Sequence, residues 1–464
     1  MDHCLKWGKS LGKNRKIHRV GLISPCSGNL GNAAILSSMI ANLRSRIPDV
    51  EIVGITLSPD DTHRRHGIES FPITGITHGR YHLVPSPVSP DQLTKADRPF
   101  LGIKEKLKRI GWLRGLVRTA RTARSELAHI YRSGRLVRSL DRVIVTGGGA
   151  LDDFWGGPWG HPWTLFKFAA LSRIFRVPFL FVSVGKCSLD HRLSRRFVVC
   201  ALRFAQYRSY RDHESQAEVE ATFPGLGGAV WPDLAYGYCC PDQPLQRRQT
   251  SHDEPKVIAV SPIAFCDPRM WPVNDIRRYS RYINQLAKFL MRAIGDEQRL
   301  ILFATDGPDS DTINDLMGIL AAESVDTSRV EILPGPPEQT TEMLLRNISD
   351  ADVVIASRLH AVILSHVIAI PVVAISYDRK VDVHMSEIGQ SEYCMNIDEF
   401  TAETLAERLA VLRDARELES ARLRRAVRHY REQADAQFDL LFGLRHSDSG
   451  MDQNADRLMT QAQR

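Results

Sequence analysis

An arginine and a histidine stand two residues apart where an apolar run gives way to a predicted helix. Residues 353–356 are all apolar, as in a buried strand, and Ser357 is a suitable N-cap before a helix predicted over residues 359–370. Arg358 and His360 are therefore predicted at the carboxyl end of a strand and in the first helical turn. Open α/β sheets bind ligands at such strand ends, and helix N-termini attract anions.

These side chains offer complementary chemistry. Arginine supplies a permanent charge and a planar fork of donors for phosphate or carboxylate, and histidine exchanges a proton near neutral pH. The next predicted strand, residues 371–376, ends in Tyr377-Asp378-Arg379-Lys380. Two consecutive strand ends thus carry Arg, His, Asp and Lys, which predicts a pocket for an anionic substrate. A buried network that only stabilises the sheet is the alternative for Arg358 and His360.

Two earlier turns have similar features. Residues 27–32 follow a predicted strand and open a helix, so Asn29 and Gly31 are candidates for a ligand loop. The loop matches neither the P-loop nor the G-x-G-x-x-G pattern, and a plain tight turn explains it as well. Arg211 follows a short predicted strand and is expected to face the same cleft, with Asp212 capping the next helix. A plain cap with a solvated arginine is the alternative.

Three consecutive glycines, Gly147-Gly148-Gly149, end another predicted strand. Such a run favours a sharp bend or a close approach of the backbone to a ligand. The following loop is rich in tryptophan, as in a platform for a sugar ring or a packed lid without a ligand. His161 is the candidate acid, base or phosphate ligand of this loop, against the alternative of a structural histidine.

Short apolar runs alternate with helical segments, as in parallel sheets covered by helices. The predicted strands span residues 20–24, 51–57, 142–146, 178–184, 208–210 and 229–231, then 257–260, 300–304, 330–333, 353–356 and 371–376. The first helix is predicted over residues 33–46, loops with short strands over residues 63–99, and a long helical segment over residues 401–442. The fold class is therefore α/β, with two Rossmann-like domains and a cleft between them.

The predicted divisions of the chain follow composition as well as pattern. They are a basic tail (1–18), an N-terminal Rossmann-like domain (19–240) with a basic helical insertion (about 101–140), a linker (241–255), a C-terminal Rossmann-like domain (256–400), C-terminal helices (401–444) and a disordered tail (445–464).

Composition excludes several classes of protein. The 464 residues are 43% hydrophobic and 25% charged, as in a globular protein of two or three domains. No apolar run is long enough to span a membrane and no signal peptide is recognised, so a cytoplasmic location is expected. The eight cysteines show no zinc-site spacing, and no metal is expected.

The net charge of +7 is unevenly distributed. Residues 104–142 contain twelve basic and three acidic residues, above apolar positions at helical spacing. A solvated helix face is one interpretation, and peripheral contact with an anionic membrane at the inner face of the cell membrane is the other. Nucleic acid is not a predicted partner, because the stretch has few aromatic residues and no recognised motif.

Several segments in order resemble the polysaccharide pyruvyl transferase family over about residues 20–396. The motifs that carry the resemblance are Gly28-Asn29-Leu30-Gly31, Gly147-Gly148-Gly149, Arg211-Asp212-x-x-Ser215, Pro232-Asp233, Ser357-Arg358-Leu359-His360 and Ser376-Tyr377-Asp378-x-Lys380.

The resemblance implies a two-domain arrangement like that of the GT-B glycosyltransferases. It implies transfer of pyruvate from phosphoenolpyruvate to saccharide hydroxyls as a ketal, in the synthesis of exopolysaccharide or cell-surface glycan. The saccharide acceptor is free or lipid-linked, and phosphoenolpyruvate is a donor substrate rather than a cofactor. Arg358, Leu359 and Arg211 then bind phosphoenolpyruvate, His360 is the general acid/base, and His161 corresponds to a further donor-contacting histidine.

One position departs from the family pattern. The first loop usually reads Asn-x-Gly-Asp, and here Asn32 replaces the aspartate. If that residue only caps the helix, asparagine serves nearly as well. Two rival interpretations stay open: a GT-B sugar-nucleotide glycosyltransferase, and a catalytically silent binding protein for which Asn32 is the main support.

Overall fold

Two parallel sheets organise the chain. The computed structural model describes residues 17–26, 28–75, 111–154, 156–238, 256–273 and 275–442, with only the backbone over residues 111–122. The first sheet has seven strands and the second has six. The linker predicted at 241–255, most of the tail at 1–18 and all of the tail at 445–464 lie outside these residues. None of the described helices is long and apolar enough to cross a membrane.

The first sheet has the strand order β3-β2-β1-β4-β5-β6-β7, all parallel. Its strands are β1 (Arg19–Ser24), β2 (Glu51–Thr56), β3 (Glu69–Pro72), β4 (Arg142–Thr146), β5 (Phe179–Val184), β6 (Tyr207–Tyr210) and β7 (Ala229–Val230). Its helices are α1 (Leu30–Arg46), α2 (Pro59–His66), α3 (Gly111–Arg138), α4 (His161–Phe175), α5 (Arg192–Phe204) and α6 (His213–Thr222). The direction of strand order reverses between β1 and β4, which is where such sheets bind ligands.

The second sheet repeats this topology with the order β10-β9-β8-β11-β12-β13. Its strands are β8 (Val257–Ser261), β9 (Arg299–Leu302), β10 (Val330–Ile332), β11 (Val353–Ala356), β12 (Val372–Ser376) and β13 (Cys394–Asn396). Its helices are α7 (Ile276–Gly295), α8 (Gly307–Ala322), α9 (Thr341–Ile348), α10 (Leu359–Val367) and α11 (Arg379–Glu387), followed by α12 (Ala402–Asp414) and α13 (Arg416–Phe442). Here the order reverses between β8 and β11.

Several predicted details were wrong. Arg358, not Ser357, is the N-cap of α10, because the Ser357 hydroxyl is buried against the Tyr282 hydroxyl at 3.0 Å. α2 begins at Pro59 and extends through residue 66, into the region 63–99 that was predicted as loops with short strands. The C-terminal segment divides at Ala415 into two helices.

The observed ends of two helices also differ from the predicted ones. α1 begins at Leu30 rather than residue 33, because Asn29 accepts a hydrogen bond from the Asn32 N–H and caps it. α10 ends at Val367, three residues before the predicted end, where Ile368 leaves the helical conformation. The predicted cap at Asp212 is confirmed, since its carboxylate accepts from the Ser215 N–H at 2.6 Å.

The last helix joins the two sheets. α13 starts beside the second sheet and returns to the first, where Arg142 donates to the Leu441 carbonyl at 2.8 Å. The buried Gln437 amide donates to Ser209 Oγ at 2.8 Å and accepts from Ser183 Oγ at 3.1 Å. A long segment that follows both sheets in the sequence thus fixes the first sheet by specific polar contacts.

We expect Gln437→Ala to lower the free energy of unfolding by about 1–3 kcal/mol, because it leaves the buried hydroxyls of Ser183 and Ser209 without this partner. Melting temperature measures the loss. Gln433→Ala, at a half-buried position of the same helix, is the matched control. Equal melting temperatures for the two variants would show that the Gln437 contacts do not stabilise the protein.

Candidate functional site

The two switch points face each other across the cleft between the sheets. Gly31, in the first turn of α1, packs directly on His360, in the first turn of α10, and a Cβ at Gly31 would overlap the imidazole. Hydrogen bonds flank this contact: the Leu30 N–H donates to the Thr305 carbonyl at 2.8 Å, and Thr341 Oγ1 donates to the Leu30 carbonyl at 3.1 Å. The loop after β1 is thus held against the loops of the second sheet.

The guanidinium of Arg358 is held by the fully buried carboxylate of Asp309. Its Nε and Nη2 both donate to Asp309, the latter at 2.8 Å, and its Nη1 lies 3.4 Å from Asp306. Burial raises the pKa of Asp309 to about 6 against the opposing effect of Arg358, so this carboxylate is mainly ionised at neutral pH. Burial would lower the pKa of Arg358, but Asp309 and Asp306 raise it instead. The guanidinium is therefore a fixed cation.

Asp233 lies between Arg211 of the first half and His360 of the second. Its Oδ2 lies 3.5 Å from Arg211 Nη1 and 3.7 Å from His360 Nε2, while its Oδ1 accepts from the Ala235 N–H at 2.9 Å. Burial alone would raise the pKa of Asp233, but His360 and Arg211 bring it well below its usual range. Asp233 Oδ2 and His360 Nε2 are buried without a hydrogen-bond partner among the described residues. A small movement of either side chain, or a polar group bound between them, would give both atoms a hydrogen-bond partner.

Arg211 is as tightly placed as Arg358. Its Nε donates to Asp212 at 3.2 Å, and its guanidinium packs on Gly185, where a Cβ would overlap it. Burial opposes its charge, but Asp233, Cys187 and Asp212 raise its pKa. Glycine at 185 therefore makes room for a buried cation at the end of β5.

A cavity of about 360 Å³ opens between the ends of β5, β6 and β12. Arg211 and Lys380 line it, together with Lys186, Cys187 and Arg379. A smaller cavity of about 40 Å³ behind it is lined by Arg211, Lys380 and Leu359. Burial would lower the pKa of Lys380, but Tyr377 and other neighbours raise it, so its charge is retained.

The remaining predicted residues lie around this group. Gly148 adopts a left-handed conformation (φ 66°) beside the Asn32 side chain, and Gly149 packs against the Cys187 sulfur. Asn29 caps α1 with its side chain. Asn32 is therefore not the cap of α1, and its side chain lies between the first loop and the glycine turn. Helix capping thus does not explain why asparagine stands where the family usually has aspartate.

His161 begins α4 and stands apart in its chemistry. Desolvation by burial lowers its pKa to about 4, so the imidazole is neutral at physiological pH, and its Nε2 is buried without a hydrogen-bond partner among the described residues. Like Arg358 and His360, it is not among the described residues that line the two cavities. His161 therefore has the features of a neutral hydrogen-bonding group rather than a cation.

Three supporting residues were not predicted as members of the site: Asp309, Gly185 and Asp233. Nothing in the local sequence marks Asp309 or Gly185, because each contacts its arginine only through the folded chain. Asp233 was present in the Pro232-Asp233 motif, and its position after β7 was its one visible feature. Within the described residues no group of three histidine, cysteine or acidic side chains is arranged to hold a metal ion.

A family model described as polysaccharide pyruvyl transferase matches residues 29–379. The chain belongs to the polysaccharide pyruvyl transferase family. No curated protein matches the sequence. The matched residues include the site from the Asn29 cap to Arg379, and Lys380 lies one residue beyond them.

Solved structures show the same fold at low sequence identity. The UDP-GlcNAc 2-epimerase from Methanocaldococcus jannaschii has a TM-score of 0.51 at 10% identity, covering 85% of this chain and 93% of its own. A putative UDP-N-acetylglucosamine 2-epimerase from Listeria monocytogenes has a TM-score of 0.55 at 10% identity, covering 92% and 96%. A glycosyltransferase from Rickettsia africae has a TM-score of 0.50 at 9% identity, covering 93% and 97%. This pyruvyl transferase family member therefore has the predicted GT-B-like fold.

We expect Gly31→Ala to lower the melting temperature, although alanine favours a helix over glycine by about 0.5–1 kcal/mol. The added methyl would push His360 away, and overpacking of this kind costs about 1–3 kcal/mol. Gly318→Ala in α8 is the matched control, because a Cβ there meets nothing within 4 Å. A rise in melting temperature for both variants would contradict the close approach of Gly31 to His360.

Proposed function

We propose that this protein transfers pyruvate from phosphoenolpyruvate to two hydroxyls of a saccharide, forming a cyclic ketal and releasing phosphate, in the synthesis of an exopolysaccharide or cell-surface glycan. The observation that supports it best is the placement of His360 between the two switch points, with Asp233 and Arg211 beside it, in a member of this family. A proton-transfer group thus lies among fixed cations at a ligand-binding edge.

The donor carries a carboxylate and a phosphate, and the site offers separate groups for them. Arg211 and Lys380 line the cavity of about 360 Å³, and Arg358 lies at the next strand end. Each cation has a carboxylate partner, so the donor would bind through hydrogen-bonding atoms that these partners leave exposed. Preplaced donors of this kind stabilise developing charge without reorganisation during the reaction.

His360 would supply the proton chemistry. Protonation of the donor methylene carbon makes C2 electrophilic, and a saccharide hydroxyl attacks it and loses its proton. The C2–O bond to phosphate then breaks, and a second hydroxyl closes the ketal. The two hydroxyls release two protons in all. One replaces the proton that was added to the methylene carbon, and the other leaves with phosphate. Asp233, 3.7 Å from His360 Nε2, would stabilise the imidazolium form.

A sugar-nucleotide glycosyltransferase is the second candidate, favoured by the structural neighbours, which include two UDP-GlcNAc 2-epimerases and a glycosyltransferase. Both candidates need cations in the cleft, so the ligand that binds distinguishes them. A silent binding protein would bind one of these donors without turnover.

Phosphoenolpyruvate should raise the melting temperature of the wild-type protein, because ligand at 100 times its Kd adds about 2.7 kcal/mol of stability. Arg358→Lys should weaken this binding roughly 10- to 100-fold, since it keeps the charge but loses the planar fork of donors. Isothermal titration calorimetry measures the two affinities.

Arg416→Lys is the matched control for this binding test. Arg416 pairs with the buried Asp352 at the opposite end of β11, so the same substitution is made in a similar ion pair away from the site. Stabilisation by UDP or GDP but not by phosphoenolpyruvate would reject pyruvyl transfer in favour of glycosyl transfer.

His360→Gln should retain phosphoenolpyruvate binding while lowering the turnover of donor by about 10²–10⁴-fold, the usual contribution of a general acid/base. Phosphate release with a panel of saccharide acceptors measures turnover, and thermal shift measures binding. His429→Gln, on the exposed side of α13, is the control. Full turnover in His360→Gln would assign the proton transfer to another residue.

A further inference from the structure

Three adjacent helices that cover the outer face of the first sheet carry many basic and few acidic side chains. α4 packs between α3 and α5, on the face that has a core separate from the rest of the molecule. The described part of these helices contains one carboxylate, Glu126, which is buried and paired with Lys167. The neighbouring helix α6, by contrast, carries three glutamates.

Exposed arginines are spread over all three helices. They are Arg124, Arg132, Arg135 and Arg138 on α3, Arg173 and Arg176 at the end of α4, and Arg192, Arg195, Arg196 and Arg203 on α5. No ion pair with a carboxylate is formed by any of these ten side chains among the described contacts. The exposed side of these three helices is therefore cationic, and we call it the α3–α5 face.

Large apolar side chains are exposed on this same face. Leu127 and Tyr131 of α3 are 67% and 69% exposed, and Ile174 at the end of α4 is 69% exposed. Phe175 lies against Gly134, one turn beyond Tyr131, which places the apolar groups of α3 and α4 close together. All large hydrophobic residues that are exposed in the described part of residues 17–238 lie on α3, α4 or the turn before α4. Such clustering marks an interaction surface.

The cleft-side end of the face is aromatic. Trp159 is 51% exposed and packs on Trp163 and Phe197, with ring centroids 5.7 and 5.8 Å away. Arg195, one helical turn from the start of α5, also lines the cavity of about 360 Å³. The α3–α5 face thus extends to the mouth of the candidate site.

We propose that the α3–α5 face docks on an anionic membrane surface. Arginines attract anionic headgroups, while tryptophan, tyrosine and aliphatic side chains enter the boundary between headgroups and acyl chains. A nucleic acid or a free polyanion would use the arginines but not the exposed leucine and isoleucine. Docking would bring the cavity mouth next to the bilayer, where a lipid-linked saccharide would be presented; this consequence alone rests on the proposed function.

Flotation of the full chain with vesicles tests the proposal without any substrate, so failure of docking and failure of pyruvyl transfer are separate results. We expect binding to phosphatidylcholine vesicles that contain phosphatidylglycerol, little binding to pure phosphatidylcholine, and loss of binding at high salt. The triple variant R132E/R135E/R138E should bind roughly 100-fold more weakly.

R424E/R425E/R428E on the exposed face of α13 has the same change of charge and should bind like the wild-type protein. Leu127→Ser with Tyr131→Ser should weaken vesicle binding, whereas Val411→Ser with Leu418→Ser, at exposed positions of α12 and α13, should not. Equal losses in the two charge variants, or binding of dextran sulfate and vesicles alike without any effect of Leu127 and Tyr131, would overturn membrane docking.

Discussion

The close approach of Gly31 to His360 is the constraint on which the site depends. It brings the first turn of α1 against the first turn of α10, and each of these turns follows the switch point of its own sheet. Only a residue without a side chain permits this approach. This contact places Asp233 from the first half beside His360 from the second. Arg211, which pairs with Asp233, lies in the same group. The catalytic candidates are thus assembled by the contact between domains rather than within either one.

Burial of the arginines explains the carboxylates around them. A buried guanidinium without a partner would cost several kcal/mol, so Asp309 below Arg358 and Asp233 beside Arg211 are required by the fold itself. These carboxylates also restrict rotation of the cations. The result is a site with many charges of both signs, in which affinity for an anion would depend on the exposed donor atoms rather than on an excess of positive charge.

The strand ends that carry the candidate site residues were predictable from the sequence, because parallel strands buried on both faces appear in it as short apolar runs. Residues 353–356 and 142–146 were placed without error for this reason. The partners of the site residues were not predictable, since Asp309 and Gly185 reach Arg358 and Arg211 only through tertiary contacts. Ser357 was misassigned for a similar reason: its hydroxyl is used by Tyr282, which lies 75 residues away in the sequence.

Asn32 has a physical explanation that the sequence did not offer. Its side chain lies beside Gly148, between the first loop and the glycine turn, and Asn29 already caps the helix. An aspartate here would add a further negative charge to a cleft that contains Asp233, Asp309 and Asp306. Asparagine can still accept and donate hydrogen bonds without repelling an anionic donor. An asparagine at this position therefore makes the cleft less negative than the family's usual aspartate would.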